Sequence, residues 1–386
     1  MNSYISDELA RLTQAGLARS MRLVESAQGP VVLMDGQEVQ LLCSNDYLGL
    51  ANHPAIKEAA IRAIEKWGFG AGASRLVSGT MPPHVALEER LAAFKQTAAA
   101  LLFNSGYHAN LGCITALCNR TTDVFSDRLN HASITDACVL SRARVRRYAN
   151  RDVDGLERLL KKSTAKTKII ITDGVFSMDG TLAPLADIAG LLDRYNATLI
   201  LDDAHATGCL GEHGRGTLER FNIKHPAIIQ MGTLGKALGS FGAFIAGGKN
   251  LIDLLVSKSR PFIYTTALPP AVAATAIKAL DIVEAEPERR ARLHENAAFF
   301  RDGLNRAGFD TLGSETQIVP ILTQDAARTM EFSKRLLKKG VFIQGIRPPT
   351  VSAGTSRLRA SVSAAHTKAG LTSALNAIIE TLNERD

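Results

Sequence analysis

The stretch QMGTLGKALGSFGAFIAGG, residues 230–248, holds one lysine, Lys236, in a glycine-rich loop between two apolar runs. Short continuous apolar runs are typical of strands that are buried on both faces of a sheet. The glycines would let a flat group lie against the backbone of the loop. Small and apolar neighbours desolvate an amine, which lowers the pKa of a lysine and makes it nucleophilic. Taken alone, the stretch is explained more simply by a solvated lysine in a turn. Only other motifs in the chain can show whether Lys236 is instead a reactive lysine.

The composition is typical of a soluble globular protein. The 386 residues predict two or three domains, and 46% hydrophobic with 22% charged residues allow a sizeable core. No apolar run approaches the length of about 18 residues that spans a membrane. Residues 1–22 are amphipathic with mixed charge and do not resemble a signal peptide. We therefore expect a cytoplasmic protein.

The cysteines and the net charge limit the kinds of metal, cofactor and partner that the chain is expected to bind. Five scattered cysteines lack the paired spacing of zinc ligands or of a disulfide framework, so we expect reduced thiols and no metal. A net charge of +7 suits an acidic partner such as a phosphate-bearing cofactor, coenzyme A, an acidic carrier protein or nucleic acid. The largest basic cluster, residues 142–147, has no interleaved aromatic residues. We interpret it as a solvated face and not as a nucleic-acid site.

Helices and strands alternate through the middle of the chain. Residues 44–288 form an expected large α/β domain with a mainly parallel sheet. Its strands are predicted at residues 99–103, 123–126, 168–172, 198–202, 227–231 and 243–246.

The two ends of the chain show a different pattern of predicted helices and strands from the middle. Residues 1–43 predict an appendage made of a helix over 6–22 and a hairpin, 30–34 and 38–43, that turns at Asp35 and Gly36. Residues 289–386 predict a smaller α+β domain that packs with this appendage. Its elements are a helix to residue 307, a strand at 317–322, a helix at 326–339, short strands near 341 and 357, and a helix at 367–383.

Three other kinds of protein fit the sequence less well: a nicotinamide-dependent enzyme, a metalloprotein and a DNA-binding regulator. The glycines of residues 68–74 resemble a dinucleotide fingerprint, but a helix and not a strand is predicted before them, which argues against a nicotinamide site. A metal site from Asp202, Asp203, His205 and His213 is conceivable, although no second cluster of recognised spacing supports it. A DNA-binding regulator would need more than the one helix and hairpin of residues 1–43.

Polar residues follow several predicted strands, where ligands bind in open α/β sheets. Ser105 precedes a helix whose free N–H groups would hold a phosphate, or it is a plain helix cap. Asp202 and His205 end another strand, and Lys236 follows a third. Together with Thr233, these residues offer partners for the imine, the ring nitrogen and the phosphate of pyridoxal phosphate (PLP). His131 could stack on its ring or simply cap a helix.

With these residues in place, the chain resembles the α-oxoamine synthases, a family of fold-type I PLP-dependent transferases. The resemblance covers nearly the whole chain from about Arg19. Its most specific motifs are SNDYLGL (44–50), GVFSMDG (174–180), DDAHATG (202–208), GTLGKALG (232–239) and RLRASVSAAHT (357–367).

The resemblance implies a role for each candidate residue. Four are expected to be catalytic and to contact the cofactor: Lys236 through an imine, Asp202 at the ring nitrogen, His205 at the ring hydroxyl and His131 stacked on the ring. Ser105, Gly106, Tyr107 and Thr233 would hold the phosphate end, and Ser177 would line the site. Thr265 and Thr266 would reach the phosphate of a partner subunit, which implies a homodimer. Asn45 and Arg359, with His131, would bind the amino-acid substrate.

The family condenses an amino acid with an acyl thioester and releases carbon dioxide. The run IRPPTV, residues 346–351, resembles the members that join L-alanine to a pimeloyl thioester of coenzyme A or of an acyl carrier protein, in biotin biosynthesis. It assigns Thr350 and Arg19 to the acyl substrate, with Arg22 as an alternative to Arg19. The nearest other reaction is the condensation of glycine with acetyl-coenzyme A.

Overall fold

The computed structural model describes residues 2–384, so Met1 and residues 385–386 of the two predicted end regions lie outside the described part. The strands of the described part are β1 (Val31–Met34), β2 (Gln37–Leu41), β3 (Ala99–Phe103), β4 (Asp123–Asp127), β5 (Arg144–Tyr148), β6 (Lys168–Asp173), β7 (Ala197–Asp202), β8 (Ile228–Thr233), β9 (Ala243–Gly247), β10 (Ile318–Gln324), β11 (Val341–Phe342), β12 (Gln344–Ile346) and β13 (Ser356–Ser361). The helices are α1 (Asn2–Gln14), α2 (Pro54–Trp67), α3 (Pro82–Phe94), α4 (Gly106–Leu117), α5 (Ala132–Ser141), α6 (Val153–Lys161), α7 (Leu185–Tyr195), α8 (Thr217–Arg220), α9 (Lys249–Lys258), α10 (Arg260–Ile263), α11 (Pro270–Ala285), α12 (Pro287–Arg306), α13 (Ala326–Lys338) and α14 (Lys368–Asn383).

A seven-stranded sheet in the order β3-β9-β8-β7-β6-β4-β5 lies at the centre of the fold. Strands β5, β4, β6, β7 and β8 run parallel to one another, and β9 is antiparallel to both β8 and β3. Every residue of β4, β8 and β9 is buried. The predicted α/β class with a mainly parallel sheet is confirmed, because helices cover both faces and the apolar runs form the strands between them.

The basic cluster that the sequence predicted as a solvated face contains the edge strand β5, which was missed. Three of its five side chains are exposed, Arg146 is half-buried and Tyr148 is buried, and Arg144 and Arg146 donate hydrogen bonds to the buried carboxylate of Asp123 on β4. The strand shows no apolar alternation, because at a sheet edge charged side chains are favoured on both faces. Periodicity therefore could not reveal it.

The first helix is shorter and begins earlier than the predicted helix over residues 6–22. It ends at Gln14 because Gly16 adopts a φ of 65° and closes the helix end. The amide of Gly16 donates to Thr13 O, and the amide of Leu17 donates to Leu12 O, which together form a Schellman cap. Residues 17–22 therefore leave the helix and run as an irregular segment.

The two ends of the described chain meet in a small sheet. The hairpin of β1 and β2 forms as predicted, with φ of 51° at Asp35 and 74° at Gly36. Strand β11 pairs in parallel with β2, so that Val341 lies opposite Gln40. A second small sheet has the order β10-β13-β12 and carries Arg359 on its central strand. No helix within residues 2–384 is both long and apolar enough to cross a membrane.

Candidate active site

The carboxyl ends of neighbouring strands bring the candidate residues to one edge of the central sheet. Asp202 is the last residue of β7, and Asp173 lies opposite it at the end of β6. Strand β8 ends at Thr233, and the following loop carries Lys236 back over this edge. The Nζ atom of Lys236 lies 3.0 Å from Nε2 of His205, which follows β7. The expected placement of the site beyond the strand ends is thus what the structure shows.

Burial sets the protonation of the lysine and of the histidine beside it. Removal from water lowers the pKa of Lys236 to about 8; the carboxylate of Asp202 opposes this shift and the guanidinium of Arg359 adds to it. Burial also lowers the pKa of His205 well below its usual value, and the neighbouring Lys236 contributes. The imidazole of His205 is therefore neutral, and its Nδ1 atom lies 2.7 Å from the hydroxyl of Tyr47. Tyr47 was missed by the sequence analysis, although it stands within the SNDYLGL motif.

The lowered pKa of Lys236 predicts its reactivity in the cofactor-free protein. The neutral amine is the reactive form, so lowering the pKa moves the rise in reactivity to lower pH. We expect trinitrobenzenesulfonate labelling of Lys236, followed by mass spectrometry, to rise with a midpoint near pH 8. A short lysine peptide serves as the control, with a midpoint of about 10.4. The same midpoint for Lys236 and for the peptide would contradict the desolvation argument.

Asp202 is held by a network that reaches His131. The Nδ2 group of Asn110 donates to Asp202 Oδ2 at 2.8 Å and to Ser133 Oγ at 2.9 Å. The amide of Ala204 donates to Asp202 Oδ1 at 3.0 Å. Ser133 Oγ in turn lies 2.8 Å from Nδ1 of His131. Asn110 and Ser133 were not predicted, because a buried amide and hydroxyl inside helices carry no sequence signal of their own.

Asp173 is a second buried carboxyl group that the sequence analysis did not single out. Burial and the adjacent charge of Asp202 raise the pKa of Asp173 well above its usual value. Its Oδ1 atom accepts a hydrogen bond from the amide of His131 at 3.4 Å. The position could have been found, because Asp173 ends the apolar strand before GVFSMDG in the same way that Asp202 ends the next strand.

The start of α4 has the form of an anion site. The side chain of Ser105 caps the helix by accepting the amide of His108 at 3.2 Å. The first intrahelical bond runs from Ala109 N to Ser105 O, which leaves the amides of Gly106 and Tyr107 ahead of the hydrogen-bonded turn. A Cβ atom on Gly106 would lie 2.9 Å from Cγ2 of Thr233, so the Thr233 side chain packs closely against the backbone of Gly106. Free amides at a helix start suit a phosphate.

The remaining residues of the predicted phosphate end lie at its margin. Tyr107 is 42% exposed, and its hydroxyl donates to Asp136 at 2.7 Å. The side-chain amide of Asn104, which precedes the capping serine, donates to Thr265 Oγ1 at 3.3 Å and to Thr266 O at 2.9 Å. Both threonines thus adjoin the start of α4 within one chain.

Arg359 is a buried cation that the described protein leaves without a carboxylate. Its Nε group donates to Ser177 O at 2.5 Å, and its other nitrogens lie 3.4 to 3.5 Å from Asn45 Oδ1 and 3.4 Å from the Tyr47 hydroxyl. Within residues 2–384 no acidic group lies at ion-pairing distance from it, whereas Arg357 on the same strand is paired with Asp179. A buried guanidinium without an acid is suited to a carboxylate that arrives with a ligand.

The two predicted acyl-binding residues lie outside this cluster. Thr350 is exposed on the loop between β12 and β13, and Arg19 is exposed on the segment after α1. Arg22, the alternative to Arg19, is engaged in the hairpin: it lies 3.4 Å from Asp35 and 5.4 Å above the ring centre of Phe342. The structure does not bring Arg19 or Thr350 into contact with Lys236.

The alternative metal site does not converge. Asp203 forms a buried ion pair with Lys95 at 3.1 Å, and His213 lies 2.7 Å from Glu219. No group of three or more metal-binding side chains occurs in the described part of the chain. The five cysteines are free, and all except Cys43 are buried.

Comparisons with known proteins agree with the motifs. Residues 37–378 match the family model described as aminotransferase class I and II. A curated relative, 8-amino-7-oxononanoate synthase of Geotalea daltonii, is 56% identical over 376 residues, which cover 96% of each chain. A solved serine palmitoyltransferase of S. paucimobilis, with a bound PLP–myriocin adduct, has a TM-score of 0.92 at 30% identity and covers 98% of this chain and 96% of its own.

A crystal structure of 8-amino-7-oxononanoate synthase from Francisella tularensis aligns with a TM-score of 0.78 at 29% identity, covering 89% of this chain and 98% of its own. The predicted fold type and the predicted family are confirmed by these similarities. The chain therefore belongs to the class I and II aminotransferases and, within them, to the family of the 8-amino-7-oxononanoate synthases.

Proposed function

We propose that the chain condenses L-alanine with a pimeloyl thioester, releasing carbon dioxide and the free thiol and forming 8-amino-7-oxononanoate. The observation that carries this proposal is the convergence of a desolvated lysine, a buried carboxylate and an acid-free buried guanidinium at one sheet edge. These are Lys236, Asp202 and Arg359. Relatives that carry the name of this synthase over nearly their full length support the same reaction.

The residues at this edge fit PLP. Lys236 would hold it covalently, Asp202 would face the ring nitrogen, and His205 the ring hydroxyl. The amides of Gly106 and Tyr107, which lie ahead of the first hydrogen-bonded turn of α4, would bind the phosphate together with Thr233, which packs against Gly106. When bound, PLP supplies a protonated ring that takes up the electron pair left on a carbon after loss of a proton or carboxylate. His131 would lie against this ring, and Ser177 beside it.

The chain's own groups account for binding and for proton movement. Arg359 and Asn45 bind the carboxylate of L-alanine, which orients the Cα–H bond toward Lys236. The amine of Lys236, when free, is the general base for this proton, because a pKa of about 8 gives it a far larger neutral fraction near physiological pH than an ordinary lysine has. Neutral His205 holds the amine at 3.0 Å and so limits its rotation. The buried carboxylate of Asp202 would retain positive charge on the ring nitrogen of bound PLP.

The acyl donor would approach from the side of Thr350 and Arg19. A pimeloyl chain ends in a carboxylate, and an exposed guanidinium is a suitable partner for that group. The thiol carrier can be coenzyme A or an acyl carrier protein, since both are acidic and the net charge of the chain is +7.

The test is release of free thiol from pimeloyl-coenzyme A by the PLP-loaded protein, with L-alanine and glycine compared side by side. We expect release that requires L-alanine and formation of 8-amino-7-oxononanoate by mass spectrometry. A parallel assay pairs glycine with acetyl-coenzyme A, and release with this pair alone would assign the chain to the alternative reaction of the family. No release with either pair would contradict the proposed activity.

We also propose that the enzyme is a homodimer in which Thr265 and Thr266 serve the partner's phosphate site. Several large apolar side chains are exposed in the single chain, including Phe69 at 72% and Tyr264, next to Thr265, at 70%. Burial of such groups favours association. Sedimentation should give a dimer, and a fully active monomer would exclude this arrangement.

A further inference from the structure

The side chain of Arg347 joins the two regions that the acyl substrate is proposed to use. It follows strand β12, and its Nε and Nη2 groups donate to Gly16 O at 2.9 Å and to Ala18 O at 3.1 Å. Its third nitrogen, Nη1, lies 3.0 Å from the sulfur of Met330 on α13. Within residues 2–384 no carboxylate pairs with this guanidinium. Its polar contacts are to two backbone carbonyls and one thioether.

Apart from the Arg347 contacts, the backbone hydrogen bonds of residues 16–18 in the described chain run to the end of α1: Gly16 N to Thr13 O, and the amides of Leu17 and Ala18 to Leu12 O. Helix α1 ends at Gln14, and regular pairing resumes only at Val24, which forms a bridge with Met34. Between these points Met21 is fully exposed, and Arg22 provides an anchor through Asp35. Arg19 therefore stands between two fixed points, one made by Arg347 and the other by Arg22.

Arg19 itself is a free cation in the described part of the chain, with no hydrogen bond or ion pair. Arg22 has both an acidic partner and an aromatic surface. A ligand carboxylate would compete with Asp35 for Arg22 but meets no competitor at Arg19. The structure thus favours Arg19 over Arg22 as the partner of the distal carboxylate.

The backbone of Arg347 also fixes the other acyl residue. Its carbonyl accepts the amide of Thr350 at 3.1 Å and closes the turn that carries this threonine. One residue therefore holds both Arg19, through its side chain, and Thr350, through its carbonyl. A change confined to the side chain should disturb only the first of these.

We propose that Arg347 is a positioning residue for acyl selection, which anchors residues 16–18 so that Arg19 is presented to an acyl chain ending in a carboxylate. The proposal rests on the proposed function, because it requires a dicarboxylic acyl donor. It assigns to Arg347 no contact with the substrate. Its effect should therefore appear in discrimination between acyl chains and not in handling of the amino acid.

The experiment compares pimeloyl-coenzyme A with heptanoyl-coenzyme A, which has the same chain length and no distal carboxylate. For the wild type we expect a kcat/KM ratio that favours the pimeloyl donor. In Arg347→Gln we expect this ratio to fall about tenfold, mainly through KM for the pimeloyl donor, with KM for L-alanine unchanged. Arg347→Lys, which keeps one donor group, should give an intermediate ratio. Arg120→Gln removes an exposed positive charge from the loop between α4 and β4 and should keep the wild-type ratio.

Two further variants, with the wild-type assay, distinguish failure of the positioning role of Arg347 from failure of the proposed function. Arg19→Gln should lower the same ratio, and the double variant Arg19→Gln/Arg347→Gln should fall no further than Arg19→Gln alone, because both act through one group. A ratio lowered by Arg19→Gln but unchanged in Arg347→Gln would overturn the positioning role. Additive losses would overturn it as well. Absence of thiol release by the wild type with L-alanine and pimeloyl-coenzyme A would instead show failure of the proposed function.

Discussion

Replacing Lys236 with alanine is expected to reduce L-alanine-dependent thiol release by about 10⁴-fold or more, the upper end of what a positioned general acid or base contributes. The change removes both the proposed covalent attachment of PLP and the base that lies 3.0 Å from His205. The fold should persist, because loss of a desolvated amine leaves the strands on either side intact. Thiol release by the purified variant measures the effect.

The variant should still bind PLP through the phosphate and ring contacts, but without a covalent bond. Borohydride reduction followed by mass spectrometry should fix PLP on the wild type at Lys236 and leave the variant unmodified. Lys249→Ala, which removes a lysine whose side chain is 78% exposed on α9, is the matched control and should behave as the wild type. Thiol release by Lys236→Ala near the wild-type rate would rule out the assigned role.

Arg359→Met is expected to raise KM for L-alanine by about 10²- to 10³-fold, because truncating one partner of a buried charge pair costs about 2–5 kcal/mol. The effect should be specific to the amino acid, since the guanidinium contacts Ser177 and Asn45, and Asn45 is the other residue proposed to bind its carboxylate. Arg359→Lys should lose less, because it keeps the charge but not the planar fork.

Two controls separate substrate binding from folding. L-Alaninamide lacks the carboxylate, so the preference of the wild type for L-alanine over L-alaninamide should largely disappear in Arg359→Met. Arg357→Met removes a guanidinium from the same strand that is already paired, and it leaves Asp179 without its partner. That variant should lower the free energy of unfolding by about 3 kcal/mol. An unchanged KM for L-alanine in Arg359→Met would contradict the carboxylate-binding role.

The sequence predicted the strands of the central sheet well, because each is a short apolar run buried on both faces. It also located the polar residues that follow these runs, since the topology of a parallel sheet gathers them at one edge. The edge strand β5 was missed, because its basic side chains give no apolar pattern. The end of α1 was missed, because Gly16 closes the helix while apolar spacing continues beyond it.

The residues that support the site were harder to predict than those that form it. Asn110 and Ser133 connect Asp202 to His131 across two helices, and this contact depends on packing that no local pattern encodes. Tyr47 reaches His205 from a segment that is 158 positions away in the chain. Asp173 differs from these residues, because its place at the end of an apolar strand could have been predicted from the sequence. Local sequence thus predicts which groups line an edge, whereas the contacts that orient them follow from tertiary structure.

The pairing of β11 with β2 has a consequence for the newly made chain. Strand β2 leaves the ribosome early, but Val341, which lies opposite Gln40, follows about 300 residues later. At about 5–20 residues per second this interval is about 15–60 s. The apolar cluster of the hairpin, which Phe342 completes, stays open during that time. The nascent hairpin is therefore a natural target for chaperones, and a chain cut short before residue 341 would keep that surface exposed for degradation.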